Sequence, residues 1–217
     1  MKMTIIILFL FIFFKGCSFK SAENQWEYNS SNSFSSYTKY FLIDEDELSR
    51  SDLDRAIKYA KQSADLEQLA RVYLGACALN ISVEQDNKCQ NYIEIEELVS
   101  SKELKAYFSM LVKKEQKEQM SYLPKQYQLF AEYKSFKKYD LAFESIKSME
   151  QATSQFIAAS LIKKYISKSQ VKFLINKASF HGYKKIVLFW LNHYYTLESN
   201  LKEKEKIAKK IKILKIK

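Results

Sequence analysis

The sequence predicts an all-α protein, an array of short antiparallel helical hairpins, on three observations. Gly and Pro are scarce, 3 and 1 in 217 residues. Beyond Cys17 only Gly75, Gly182 and Pro124 remain, too little turn chemistry for a β-sandwich or barrel. From Leu42 onward apolar residues recur at three- and four-residue spacing, the pattern of helices with one buried face. Hydrophobic residues make up 47% of the chain and charged residues 28%, a composition that supports one sizeable core and excludes disordered and collagenous classes.

The amino terminus sets the compartment. Met1-Lys2-Met3-Thr4 precede ten consecutive apolar residues, Ile5 to Phe14, and then Lys15-Gly16-Cys17. This is the layout of a secretion signal, with an apolar run about half of the roughly 20 residues needed to cross a bilayer. A cysteine directly after a small residue and a short apolar run resembles the lipobox of bacterial lipoproteins, with Phe14 where Leu is common and Lys15 where a small neutral residue is common. The resemblance implies removal of residues 1–16, acylation of Cys17 and attachment to the cell envelope facing the periplasm. Ser18, in place of Asp, implies the outer membrane rather than the inner. Residues 17–36 then read as a lipidated start and a polar tether, because seven of the eight residues from Asn29 to Ser36 are Ser or Asn. Trp26, Tyr28 and Phe34 interrupt it, to pin it to the body or to lie at the membrane surface.

Residues 37–199 form the predicted helical-hairpin domain. Helices are expected near 36–43, 52–63, 66–79, 90–98, 102–117, 124–136, 139–149, 152–166, 169–181 and 183–196, with a basic amphipathic helix at 200–214 inside a terminal segment 200–217. Leu53, Ala56, Ile57 and Ala60 make one apolar face, and Leu66, Leu69, Ala70, Val72, Tyr73 and Ala76 the next. Starts are written as capping pairs, in which a side-chain oxygen precedes an acidic or amide side chain by three residues and satisfies free amide hydrogens of the first turn. Ser51 with Asp54, Ser100 with Glu103, Ser167 with Gln170 and Asn200 with Glu203 fit this pattern, and Asp65 with Gln68 more weakly. Short connections between short helices imply antiparallel neighbours.

Leu129, Phe130 and Tyr133, followed by Tyr139, Ala142, Ile146 and Met149, resemble a tetratricopeptide unit, in which an aromatic on the first helix meets a small residue on the second. Leu69-Ala70-x-x-Tyr73 resembles another first helix, and Tyr183-x-x-Ile186-x-x-x-Trp190 a second helix. The pieces do not fall at a 34-residue period. Both an irregular tetratricopeptide-like solenoid and a compact, non-repetitive helical domain are compatible with them.

Chemical candidates are few. His181 and His193 are the only histidines, and neither has a partner at metal-ligand spacing. Phosphate-binding glycine loops, nucleophile elbows and dinucleotide fingerprints are missing from the sequence. His181, in Phe180-His181-Gly182-Tyr183, is expected to cap a helix end, and His193 to pack beside Trp190, Tyr194 and Tyr195. The acidic run Asp44-Glu45-Asp46-Glu47 reads as a solvated loop leading to the Ser51 cap. Glu94, Glu96 and Glu97 read as an exposed helix face. In an oxidising compartment Cys77 and Cys89, at facing helix ends, could bridge their hairpin, adding roughly 3 kcal/mol, or stay as buried thiols. The aromatic stripe Phe189, Trp190, Tyr194 and Tyr195 is read as core, with a ligand groove of stacked helices as the sharper alternative.

The net charge of +10 is localised. Eight lysines and two glutamates between Lys202 and Lys217 supply +6 of it, and Lys2 and Lys15 of the signal another +2. A nearly balanced body does not ask for nucleic acid. Lys206, Lys209, Lys210 and Lys212 are candidates for a partner or lipid surface. The expected function is that of a membrane-anchored envelope lipoprotein acting as a helical scaffold for another protein, with no cofactor, metal or small-molecule substrate. The alternative is an envelope enzyme acting on peptidoglycan or lipid, which would gather Glu94, Glu97 or His181 in one cleft.

Overall fold

The computed structural model describes residues 24–85, 89–112 and 117–216. These form eleven α-helices: α1 Gln25–Leu42, α2 Asp46–Ala60, α3 Glu67–Ser82, α4 Gln90–Ile93, α5 Lys102–Leu111, α6 Lys125–Ser135, α7 Tyr139–Lys147, α8 Ala152–Leu161, α9 Lys168–Phe180, α10 Lys184–Leu197 and α11 Leu201–Lys215. Short 3₁₀ turns at Glu96–Leu98, Lys117–Tyr122 and Lys163–Tyr165 join some of them, and the described residues contain no strand. The fold is all-α.

Helices α1/α2, α6/α7 and α9/α10 pair as hairpins, and α11 packs on α10. The array does not stay linear. Helix α3 meets α1, α2, α5 and α8, and α10 returns to α1. In a solenoid each unit touches only its neighbours, so these contacts make a compact helical domain of the two arrangements the sequence allows. The two central helices explain the closure. α8 is buried at nine of its ten positions and α3 around most of its circumference, including Leu69, Ala70, Leu74, Ala76, Cys77, Ala78 and Leu79. A helix that is apolar all round must be covered all round. Trp190, Tyr92, Phe130, Phe143, Phe156 and Met110 are fully enclosed around them. In the α6/α7 pair, Phe130, Ala142 and Ile146 are all inaccessible, whereas Leu129 is exposed.

The expected tether is a helix. Residues 25–36 form most of α1, so the polar stretch from Asn29 to Ser36 belongs to the folded body. The physical reason is spacing: Ser30, Phe34, Tyr37 and Phe41 recur at four- and three-residue steps and share one face. Ser30 is completely buried and donates from its hydroxyl to the Ala56 carbonyl at 3.0 Å, while Gln68 donates to Ser30 at 3.3 Å and to Ser31 at 3.2 Å. Small residues let α1 and α2 approach closely where Ala56 and Ala60 are fully covered. The Phe34 ring lies against α3 where Gly75 leaves room; a Cβ there would stand in the ring's place. Of the other two aromatic residues, Trp26 is half-buried and Tyr28 exposed.

The acidic run is also corrected. α2 begins at Asp46, Ser51 lies inside it, and Asp44 takes a left-handed φ of 71° between α1 and α2. Rather than facing water alone, Asp44 approaches Lys184 at 3.8 Å and Lys185 at 3.5 Å, and Asp46 pairs with Lys185. The Lys185 ammonium is buried over the Phe41 ring, 4.6 Å from its centroid. A charge in such a place persists because it is paired and lies over an aromatic face. Other boundaries shift less. Ser101, one residue beyond the predicted Ser100, caps α5 by accepting from the Leu104 N–H at 3.2 Å. The predicted helix at 90–98 is broken into α4 and a 3₁₀ turn, and that at 102–117 ends as a helix at Leu111. Ser167 and Gln170 form the full capping box of α9, and Asn200 caps α11 from its side chain.

Candidate functional site

Cys77 near the end of α3 and Cys89 just before α4 form a disulfide, with Cα atoms 5.2 Å apart. It fastens the α4 segment to the core, where Tyr92 is wholly enclosed and packs against Phe108 at 4.8 Å between ring centroids. Burial and the nearby Glu96 and Glu67 carboxylates push the Tyr92 phenol up to about 12. Cys17 and the apolar run before it lie outside the described residues.

The acidic and histidine candidates stand apart. Glu94 and Glu97 are exposed on the short helical segment after the disulfide. His181 is exposed at the C-terminal end of α9, where its backbone N–H donates to the Lys177 carbonyl at 3.3 Å and its ring stacks on Tyr183. Gly182 follows at φ 69°, the left-handed turn that ends such helices. His193 is half-buried edge-to-face with the enclosed Trp190 ring at 5.7 Å. Burial, and then the Lys163 ammonium, lower its pKa below the ordinary imidazole value. Among the described residues, no three His, Cys, Asp or Glu side chains converge as a metal cluster would.

A cleft of about 390 Å³ opens instead where α1, α3, α5, α6 and α8 meet. Its walls are apolar, with Phe34 from α1, Leu74, Ala78 and Leu79 from α3, Leu104 from α5 and Ile157 from α8. Inside it the Tyr107 and Tyr127 rings lie 5.4 Å apart. The Tyr107 phenol neighbours that of Tyr127, which also stands beside Ser154 at the start of α8. Burial raises both phenols, Tyr107 well above the ordinary value. They therefore stay protonated and neutral, and a phenol held this way is no base for the Ser154 hydroxyl. Charge enters only at the mouth, from exposed Arg71 on α3 and Glu103 on α5. The arrangement can hold apolar side chains and satisfy a few polar groups of a bound segment.

Sequence reasoning did not find this cleft. The available signal was local: Ser154, Gln155 and Ser160 are polar residues within α8, a helix buried at nearly every position. That Ser154 faces Tyr127 of α6 depends on packing between helices that are not adjacent in the chain.

The lysine candidates are on the outside. Lys206, Lys209, Lys210 and Lys212 are all exposed on α11, with Lys206 paired to Glu203 at 2.7 Å. No described helix is long and apolar enough to cross a membrane. Comparison with known proteins adds no relative: no family model, no curated protein and no solved structure matches this chain.

Proposed function

We propose that this chain is a cell-envelope lipoprotein, held to the membrane by acylation of Cys17 and facing the periplasm, whose helical body binds an apolar segment of another protein without doing chemistry on it. The cleft between α1, α3, α5, α6 and α8 carries the proposal. Its walls are apolar, its two phenols are held neutral by burial, and opposite charges stand at its mouth in Arg71 and Glu103. Such a site rewards shape and burial, as helix-in-groove and peptide-groove recognition do. The Cys77–Cys89 disulfide suits an oxidising compartment, and the signal-like residues 1–16 suit export.

The test has two arms. A photo-crosslinking residue at Gln126, which lines the cleft, is compared in envelope preparations with one at Ser179, which is exposed on α9. A discrete protein adduct from Gln126 that disappears when Thr153→Trp fills the cleft is the expected result. Identical adducts from both positions would remove the cleft from the binding surface. Metabolic palmitate labelling that depends on Cys17 tests the anchor, and an unlabelled wild-type chain would overturn it.

A further inference from the structure

The last helix presents two faces of different chemistry. Ile207 and Ile211 are buried, and Lys204 and Leu214 half-buried, on the side that meets α10. On the opposite side Lys202, Lys206, Lys209 and Ile213, with Ile216 just past the helix end, recur at four- and three-residue steps and are all exposed. Ile213 and Ile216 are 57% and 69% exposed. Lys210 and Lys212 flank this stripe, and among the described residues Lys209, Lys210 and Lys212 have no ion-pair partner. The stripe is about 22 Å long, from the rise of 15 helical residues.

We infer that this outward face of α11 docks on an anionic phospholipid surface, with the helix axis in the plane of the membrane. Two observations select a lipid over a nucleic acid or an acidic protein. The basic residues here are all lysines, and the chain's three arginines, Arg50, Arg55 and Arg71, lie elsewhere. Arginine is the side chain suited to the forked contacts by which nucleic acids and protein carboxylates are read, whereas lysine is a point charge on a flexible apolar stem that reaches from an interface to headgroups. The stripe also ends in two exposed isoleucines beside those charges. Phosphodiester contacts have no use for them, but an acyl boundary does, and lysine-rich polar faces combined with a few apolar residues are the composition of interfacial helices. The inference does not depend on acylation of Cys17. Where both hold, the acyl chains at Cys17 anchor the amino terminus and the basic face fixes which side of the body meets the bilayer.

The experiment uses the full-length chain with Cys17→Ser and a spin label at Ile213→Cys, so that the readout is local to α11 whatever the amino terminus does. Vesicles of phosphatidylcholine alone are compared with phosphatidylcholine mixed with phosphatidylglycerol. The label is expected to become immobilised and oxygen-accessible only on the anionic vesicles, with the effect weakening as salt is raised. Lys206→Glu, Lys209→Glu, Lys210→Glu and Lys212→Glu together should cut partitioning by at least about a hundredfold. The same four positions changed to Gln, with an unchanged thermal midpoint, guard against unfolding. Equal responses on both vesicle types, or no change at the label on either, would overturn the inference. So would retention on duplex DNA that the four substitutions abolish while leaving vesicle binding intact.

Discussion

Helix α1 sinks Ser30, Tyr37, Phe41 and Leu42 below the surface and meets α2, α3 and α10, whereas α11 buries only Ile207 and Ile211 as it packs on α10. By composition the first is the more polar at its middle, a run of Ser and Asn, and the second carries the regular isoleucines. The difference teaches that buried position follows from the spacing of a few residues and from how closely a neighbour can approach. Serine at an interior helix contact costs little when its hydroxyl reaches a carbonyl, as Ser30 reaches Ala56. Lysines on a one-sided helix keep the rest of it in water.

The sharpest way to break this comparison is Phe41→Ala. It empties a core position and strips the ring from beneath Lys185, and should lower unfolding free energy by about 3–5 kcal/mol in urea titration. Ser30→Leu comes next, at about 2–3 kcal/mol, because a larger side chain at a fully buried contact must push α1 from α2 and leave the Ala56 carbonyl without its donor. A free tether would tolerate that substitution silently, so an unchanged denaturation midpoint would return residues 29–36 to the tether reading. On α11, Ile211→Ala should cost about 2 kcal/mol, at the low end for a buried isoleucine, since the site is at the rim of the core and can collapse. Lys209→Glu on the outward face should change stability by no more than about 0.5 kcal/mol.

The same contrast explains what could be read in advance. Capping signals at Ser167 and Asn200 are local chemistry between residues three apart, and they predict the starts of α9 and α11. The all-α class is legible from scarce glycine and proline, and the hairpins from helical spacing and short connections. The full length of α1 was written in Ser30, Phe34, Tyr37 and Phe41, but a composition argument over Asn29 to Ser36 hides that stripe. Ser51 resembles a cap only if α2 starts late; the start at Asp46 instead puts Asp46 and Glu47 in the first turn, where acidic side chains suit the positive helix end, and Asp46 meets Lys185, 139 residues away. The cleft depends in the same way on α3 crossing α8, which no short-range pattern records. Closure of the array is a property of long-range packing, and the sequence carries it only as apolar residues spread over more than one face of α3 and α8.

A pH-dependent effect concerns the joint that holds α11 in place. Glu198, between α10 and α11, accepts from the Asn200 N–H at 2.9 Å, from the Lys168 ammonium of α9 at 3.1 Å and from the Ser199 N–H at 2.8 Å. The Asn200 N–H first, and then Lys168, hold its carboxyl down to about 2, against an ordinary 4.5. The folded protein thus binds this proton less tightly than the unfolded chain does. Between those two values the unfolded state carries more protons, so the carboxylate's contribution is complete above about pH 4.5 and fades as the pH falls toward 2. Glu198→Gln removes the charge while keeping the shape, and should be less stable than wild type at neutral pH. The gap should close on acidification through that window, read as converging denaturation midpoints. Midpoints that stay parallel down to pH 2 would mean that the Glu198 charge does not hold the joint. Because α1 is held by ties that do not titrate in this range, the Ser30–Ala56 hydrogen bond and the buried Tyr37, Phe41 and Leu42, acid within this window should loosen α11 before α1, visible as earlier loss of amide protection around Ile207 than around Tyr37.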